Sequence, residues 1–174
     1  MNRPQPNEAA PYYARYIELV EDGDIVSILT RQLDETAALL SGISEEQSLH
    51  RYEPGKWSIR EVMCHVTDTE RAFAFRALWF GRGFDIPLPG FDQNIAVPAA
   101  RADDFPWLSH MEDFRAVRAA TITLFRNLPA EAWTRAGVAS GNPVSVRALA
   151  YIIAGHLAHH RSILMERYYA TMAA

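Results

Sequence analysis

The sequence contains one cysteine, Cys64, and no long uninterrupted run of apolar residues. A single cysteine excludes an intramolecular disulfide, which suits a reducing compartment. Because about 18 consecutive apolar residues are needed to cross a bilayer, no membrane-spanning helix is predicted. The first ten residues are polar and lack the apolar core of a signal peptide. Together these features predict a cytoplasmic protein with no membrane partner.

The sequence also has no block of like charges, and its formal net charge is −4. An acidic chain without a basic patch argues against a nucleic-acid partner or an anionic membrane surface. A carboxylate-bridged di-iron bundle needs Glu-x-x-His on each of two helices, and that pattern does not occur. A di-iron oxidase is therefore excluded. With 174 residues and no internal repeat, one domain with a full core is predicted.

Apolar residues recur at helical spacing in four segments, near residues 25–40, 59–80, 109–127 and 145–170. Ser58 and Glu61 form a predicted capping box at the start of the second segment. Four such helices joined by unequal connections predict an all-α fold, a four-helix bundle with one long crossover loop. Residues 1–23 are predicted to form an arm that packs on a bundle built from residues 24–174.

Two connections are predicted to be irregular. Residues 82–106 contain several prolines and no sustained period, so they are predicted to be either a binding loop or a cover for the edge of the core. Residues 133–142 are rich in glycine and small side chains and are predicted to be a loop. No segment alternates clearly enough to predict a strand.

The strongest chemical signal is a group of three inward-facing histidines. His156 and His160 interrupt the apolar stripe of the last helix and are four residues apart, so both rings lie on one face. His65 lies beside the stripe of the second helix. Three imidazoles with one vacant position are typical of a catalytic metal site. The alternative is that these are hydrogen-bonded histidines at the core edge, but the paired spacing favours a metal.

Other polar residues near this group have weaker predicted roles. Glu61 and Asp68 lie one turn from His65, and we predict that they orient a ligand ring. In a hydrolase the same two acids are the candidate general bases. His159 lies off the stripe, and Cys64 points away from its neighbour His65. Whether either of these two residues takes part in the site stays open at this point.

Aromatic residues are concentrated on the second predicted helix, which carries Phe73, Phe75, Trp79 and Phe80. One stripe of a helix cannot bury all four inside a bundle. Because large exposed apolar surfaces usually mark interfaces, this excess predicts a homodimer.

Three segments resemble the DinB/YfiT-like family of bacterial four-helix metalloproteins. They are residues 57–68 (WSIREVMCHVTD), residues 88–94 (LPGFDQN) and residues 155–160 (GHLAHH). The resemblance extends over most of the chain from about Asp24. It implies the four-helix fold, a small-molecule substrate and, in many members, a dimer.

The resemblance further implies a divalent transition metal, zinc or nickel, held by His65, His156 and His160. Some members of the family are S-transferases or isomerases that use a low-molecular-weight thiol such as bacillithiol or mycothiol. The expected function is accordingly a metal-dependent enzyme with thiol-dependent S-transferase chemistry on a small electrophile. The alternatives are a metal-dependent hydrolase and a stress protein that binds a metal or ligand without turnover.

Overall fold

The computed structural model describes residues 2–172. Four long helices dominate it: α2 (Ile25–Leu40), α3 (Ile59–Gly81), α5 (Trp107–Arg126) and α6 (Val146–Ile163). The shorter helical elements are α1 (Ala14–Ile17), α4 (Gln93–Ala100), a π-helical turn (Leu164–Tyr169), α7 (Ala170–Met172) and 3-10 turns at Pro6–Glu8, Pro11–Tyr13, Gln47–Leu49, Ala102–Asp104 and Ala130–Thr134. The predicted all-α four-helix bundle is confirmed.

Side-chain caps fix the starts of three long helices. The Asp24 carboxylate accepts from the Ser27 amide, and the Ser145 hydroxyl accepts from the Ala148 amide. At α3 the capping box is complete, since Ser58 accepts from the Glu61 amide and Glu61 accepts from the Ser58 amide. These bonds satisfy amides that have no partner inside the helix. They explain why the observed helix starts agree with those predicted from sequence.

The bundle is closed because α3 and α2 each pack against both α5 and α6. Its interior consists of two apolar clusters that lie one above the other. Between them the four helices contribute polar side chains instead of apolar ones. Buried members of this polar layer are Gln32, Thr36, His65, Thr69, Glu70, Arg118, His156 and His160. A polar layer of this kind is costly unless its groups are paired, so its members need an explanation.

The prediction of a plain loop at residues 133–142 is wrong. An antiparallel hairpin forms there, with β1 (Ala136–Ala139) paired to β2 (Asn142–Ser145). Ser140 and Gly141 have φ of 53° and 75°, the left-handed pair that tight hairpins prefer. The strands are only four residues long and lack clear alternation, so no periodic signal reveals them.

The long connection at residues 82–106 is more regular than predicted, because it contains helix α4. Pro98 lies inside this helix, and Val97 is buried. The backbone of Leu88 bonds to Val138 and Ser140, which adds this connection to the edge of the hairpin. The segment therefore reaches the hairpin and one wall of the bundle at the same time.

The N-terminal segment is held to α6 by polar bonds and a close backbone approach. Glu8 accepts from Ser145 Oγ at 2.6 Å and pairs with Arg147. A Cβ atom at Gly155 would lie 1.9 Å from the carbonyl oxygen of Tyr16. Only glycine at that position of α6 permits the segment to pack so closely. That residues 1–23 form a unit distinct from the bundle remains a prediction.

Candidate metal centre

Helices α3 and α6 bring the three predicted histidines together. His65 lies on the buried face of α3, and His156 and His160 lie one turn apart on α6. The three residues are 5%, 6% and 9% exposed. Because α3 and α6 pack directly on each other, the three rings meet inside the bundle.

The ring nitrogens converge on one point. His156 Nε2 is 3.2 Å from His65 Nε2 and 3.1 Å from His160 Nε2. One nitrogen from each of the three residues lies within 4.8 Å of the others. A tetrahedral ion with metal–nitrogen bonds of about 2.0–2.1 Å places its ligand nitrogens about 3.3 Å apart. The observed spacing therefore fits one such ion.

Hydrogen bonding alone does not account for these contacts. A ring nitrogen of a neutral histidine either donates one hydrogen bond or accepts one. His156 Nε2 faces two other nitrogens, so only one of its two contacts can be a hydrogen bond. A shared cation satisfies all three nitrogens together. The donor set, three imidazoles without a thiolate or carboxylate, suits zinc, nickel and other borderline divalent metals.

The electrostatic environment keeps the rings neutral. Burial lowers the pKa of His65 to about 4 and is also the main reason that the pKa of His160 falls to about 3. Burial, followed by repulsion from His160 and His65, holds the pKa of His156 well below its usual value. A neutral imidazole has the lone pair that a metal requires. All three side chains are therefore available as ligands at neutral pH.

The two acids predicted to orient the ligand rings have other partners. Glu61 caps α3 and pairs with Arg51 at 2.9 Å. Asp68 pairs with Arg71 at 3.0 Å and accepts from the thiol of Cys64 at 3.7 Å. Within residues 2–172, neither carboxylate is hydrogen-bonded to a histidine ring of the cluster. Proximity of one turn along a helix was the only basis for the prediction.

Thr69 occupies the orienting position that sequence reasoning assigned to the acids. Its hydroxyl lies 3.4 Å from Nδ1 of His65, four residues earlier on α3. A contact at Nδ1 leaves Nε2 as the nitrogen that faces the other two histidines. The sequence does contain a signal for Thr69, because it is a polar residue on the otherwise apolar stripe of α3.

The remaining histidines and the cysteine lie outside the cluster. His50 bonds to Thr171 Oγ1 at 2.8 Å, and His110 bonds to the Ala102 carbonyl at 2.9 Å. The His159 ring packs on Tyr16 at 5.5 Å between centroids. Burial and the neighbouring Asp68 raise the pKa of the Cys64 thiol to about 11, which makes it a poor nucleophile. We assign none of these four to the metal site.

A cavity of about 450 Å³ opens onto the cluster. His65 and His156 form part of its wall, and Thr69 lies beside them. Tyr16 covers the cluster from the N-terminal segment, with its ring 5.3 Å from that of His156. The rest of the wall comes from α3, the N-terminal segment, the long connection and the hairpin turn: Tyr12, Tyr13, Ala72, Phe73, Arg76, Gly90, Phe91, Asp92, Gln93 and Ser140. A small molecule in this cavity would lie against His65 and His156.

A second cavity of about 220 Å³ lies on the other side of the cluster, against His160. The aromatic side chains in its wall are Tyr52, Trp57 and Tyr168, and Lys56 also lines it. Nδ1 of His160 is buried and has no hydrogen-bond partner within residues 2–172. The cluster is thus flanked by open space on two sides.

The sequence model of the DinB superfamily matches residues 28–164, which include all three histidines. This chain belongs to the DinB superfamily. No curated protein matches it. Among the residues described, 2–172, no helix of this DinB-superfamily chain is long and apolar enough to cross a membrane.

Solved structures share the fold of this DinB-superfamily chain. YfiT from Bacillus subtilis, described as a probable metal-dependent hydrolase with an unusual four-helix bundle topology, is 14% identical with a TM-score of 0.71 over 99% of this chain and 94% of YfiT. A mycothiol-dependent maleylpyruvate isomerase is 12% identical with a TM-score of 0.68 over 83% of this chain and 61% of the isomerase. The DinB-like protein YjoA from Bacillus subtilis is 19% identical with a TM-score of 0.61 over 87% of this chain and 94% of YjoA. At these identities the similarity establishes the fold.

Proposed function

We propose that this protein is a metal-dependent enzyme that transfers a low-molecular-weight thiol to a small electrophile. The proposed ligands are His65, His156 and His160, and the proposed ion is zinc or nickel. The observation that carries the proposal is the convergence of three neutral ring nitrogens beside a cavity large enough for a small molecule. The mycothiol dependence of one structural neighbour supports a thiol as co-substrate.

The side chains around the histidine cluster have different roles in the proposed reaction. A divalent ion held by the three histidines would supply a Lewis acid that lowers the pKa of the thiol. Thr69 fixes the His65 ring through Nδ1. Tyr16 and Phe73 pack edge-on against His156, at ring-centroid distances of 5.3 and 6.4 Å. The thiol loses its proton to solvent, and its sulfur then bonds to the electrophilic carbon. With a halide the carbon–halogen bond breaks and the halide ion leaves; with an epoxide the carbon–oxygen bond breaks and the opened oxygen takes a proton from solvent.

Thiol transfer is favoured over hydrolysis because the acids one turn from His65 are not placed as general bases, and Asp92, the one acid in the cavity wall, caps the start of α4. A hydrolase needs a group that removes a proton from water, and an acid is the usual choice. Glu61 and Asp68 do not line the cavity, and each is paired with an arginine. A thiolate needs no such base once its pKa is lowered. The description of YfiT as a probable hydrolase keeps metal-dependent hydrolysis as the second candidate.

The thiol requirement is the first prediction. Metal-loaded protein is expected to convert an epoxide or an activated halide only when a low-molecular-weight thiol is added. Asp68→Asn should retain activity to within about tenfold, because loss of a true general base costs about 100-fold or more. Turnover is followed by loss of free thiol and by chromatography of the thioether product. His156→Ala is the inactive control.

Two outcomes would contradict this assignment. Ester or amide hydrolysis without thiol that collapses in Asp68→Asn or Glu61→Gln would make the protein a hydrolase. Absence of both reactions, with a metal bound in stoichiometric amount, would make it a binding protein without turnover.

We also propose a homodimer, formed through an apolar patch at the end of α3. Phe75 and Leu78 on α3 are 50% and 38% exposed, and Phe84 and Ile86 just after it are 50% and 62% exposed. Trp79 lies between Phe75 and Phe84, with ring centroids 5.8 and 4.2 Å away, so the three rings form a continuous surface. Contiguous apolar surface of this kind usually marks an interface.

Light scattering at micromolar concentration is expected to give the mass of a dimer, and Phe75→Glu with Ile86→Glu should give the monomer. The matched control is Leu108→Glu, because Leu108 is 62% exposed but lies at the start of α5, outside the patch. A monomeric wild-type protein would contradict the prediction.

A further inference from the structure

Arg76 differs from the other buried arginines because it has no carboxylate partner. Three arginines are almost fully buried: Arg60, Arg76 and Arg118 are 4%, 5% and 0% exposed. Arg60 pairs with Glu45 and Arg118 pairs with Glu70. Among residues 2–172, no carboxylate lies within 4.0 Å of the Arg76 guanidinium. A buried cation without a counter-ion is expensive, so it calls for an anion from outside the chain.

The hydrogen bonds that Arg76 makes fix the position of its guanidinium but do not use all of its N–H donors. Nη2 donates to the Pro89 carbonyl at 2.8 Å and to Ser140 Oγ at 3.1 Å. A guanidinium has five N–H donors, and Nε and Nη1 carry three of them. Within residues 2–172, neither Nε nor Nη1 has a hydrogen-bond partner. Neither atom is fully enclosed by protein, because the buried side-chain atoms without a partner do not include them. They therefore reach open space, and the open space beside Arg76 is the cavity of about 450 Å³.

The other groups that face the cavity do not neutralise this charge. Asp92 is the one acid in its wall, and its carboxylate does not lie within 4.0 Å of the Arg76 guanidinium; it accepts instead from the Asn94 amide at 2.8 Å at the start of α4. The cavity therefore has a cationic side at Arg76 and a metal-binding side at His65 and His156.

Arg76 and His65 lie on one face of α3, separated by the aromatic side chain of Phe73. Eleven residues correspond to about 16 Å along a helix and a rotation of only about 20°. Helical side chains lean toward the N-terminus, and the Arg76 guanidinium carbon lies 5.6 Å from the ring centroid of Phe73, which is three residues closer to His65 along α3. A ligand that touches both ends needs an anionic head, a mainly apolar linker and a reacting group.

We propose that Arg76 binds the carboxylate of a ligand whose other end reaches the histidine cluster. The planar guanidinium suits a carboxylate because it can donate two parallel hydrogen bonds. The carboxylate subsite itself needs no metal, whereas the assignment of its occupant as a reactant rests on the proposed function. Either the electrophile or the thiol could carry the carboxylate.

The first arm of the test uses metal-free protein and calorimetric titration with hexanoate and with 1-hexanol. Wild-type protein is expected to bind hexanoate at least about tenfold more tightly, as for a hydrogen bond to a charged group. Arg76→Gln should lose the preference for hexanoate and keep its affinity for 1-hexanol. Arg76→Lys should keep part of the preference for hexanoate. Arg115→Gln, on the exposed side of α5, is the matched control.

Equal affinities for the two probes in wild-type protein would overturn the proposal. So would an equal loss of both affinities in folded Arg76→Gln, because that pattern means that Arg76 only holds the hairpin and the long connection in place. If Arg76→Gln fails to fold, the wild-type preference and its weakening by salt decide the matter without a variant. Because this arm contains neither metal nor thiol, failure of the proposed chemistry leaves it unaffected.

The second arm uses metal-loaded protein and identifies which reactant carries the carboxylate. With neutral 2-mercaptoethanol as thiol, kcat/KM is compared for 6-bromohexanoate and 6-bromohexanamide. A preference for the acid that disappears in Arg76→Gln assigns the subsite to the electrophile. A preference seen only between 3-mercaptopropionate and 2-mercaptoethanol, with the neutral bromide, assigns it to the thiol. No preference in either comparison would overturn the role of Arg76 in turnover.

Discussion

Untagged protein is expected to bind close to one divalent transition-metal ion per chain, and His156→Ala is expected to lose it. His156 Nε2 is the nitrogen that contacts both other rings, at 3.2 and 3.1 Å. Without the His156 ring only two of the three proposed ligands, His65 and His160, are left to hold the ion. Since changes to groups that merely support a ligand cost about 10–100-fold in affinity, loss of the ligand itself should cost more than about 100-fold. Elemental analysis and a competition titration with a chelator measure the effect.

The same measurement on other histidines separates the cluster from the rest of the chain. His65→Ala and His160→Ala should each weaken binding strongly. His50→Ala and His110→Ala should not, because those rings bond to Thr171 and to the Ala102 carbonyl. Full metal content in His156→Ala, or strong loss in His50→Ala, would contradict the site.

The helices and the histidine cluster were accessible from sequence because both depend on periodicity. Ser58 followed by Glu61 marks the start of α3, and the complete capping box is present there. His156 and His160 occupy positions on the stripe of α6 that otherwise hold Leu149, Ile153 and similar residues. Local spacing determines which side chains share a face, so it needs no knowledge of the partner helix.

The surroundings of the cluster were not accessible, because they depend on contacts between distant segments. Asp68 was a reasonable candidate by distance along α3, but it pairs with Arg71, which in turn pairs with Asp113 on α5. The cavity wall joins Tyr13 near the N-terminus with Ser140 in the hairpin turn. No pattern within either segment indicates that the two meet.

Short elements were missed for a different reason. Helix α4 has eight residues with a proline among them, and each strand of the hairpin has four. A period needs several repeats before it can be recognised, and these elements are too short to supply them. The hairpin also depends on pairing with its neighbour and on the bonds of Leu88 to Val138 and Ser140.

The polar layer links the histidine cluster to the stability of the bundle. Arg118 on α5 donates to both oxygens of Glu70 on α3 at 2.7–3.0 Å and to Gln32 on α2 at 3.0 Å. Gln32 donates in turn to the Ala154 carbonyl on α6, two residues before His156. One hydrogen-bonded chain thus connects all four long helices at the level of the cluster. It fixes the distance between α3 and α6 on which the meeting of the histidines depends.

Glu70→Gln is therefore expected to lower the free energy of unfolding by about 3–5 kcal/mol, since it leaves Arg118 buried without a counter-charge. For a chain of this length that corresponds to a fall in melting temperature of about 6–20 °C. Asp113→Asn is the matched control. It breaks the ion pair between Asp113 and Arg71, whose side chains are 45% and 47% exposed respectively. The free energy of unfolding should fall by no more than about 1 kcal/mol. Urea denaturation of the metal-free proteins measures both values.

Glu70→Leu combined with Arg118→Met should recover much of the loss in the free energy of unfolding, because no charge then stays buried. Equal effects of Glu70→Gln and Asp113→Asn would mean that the buried pair does not hold the four helices together.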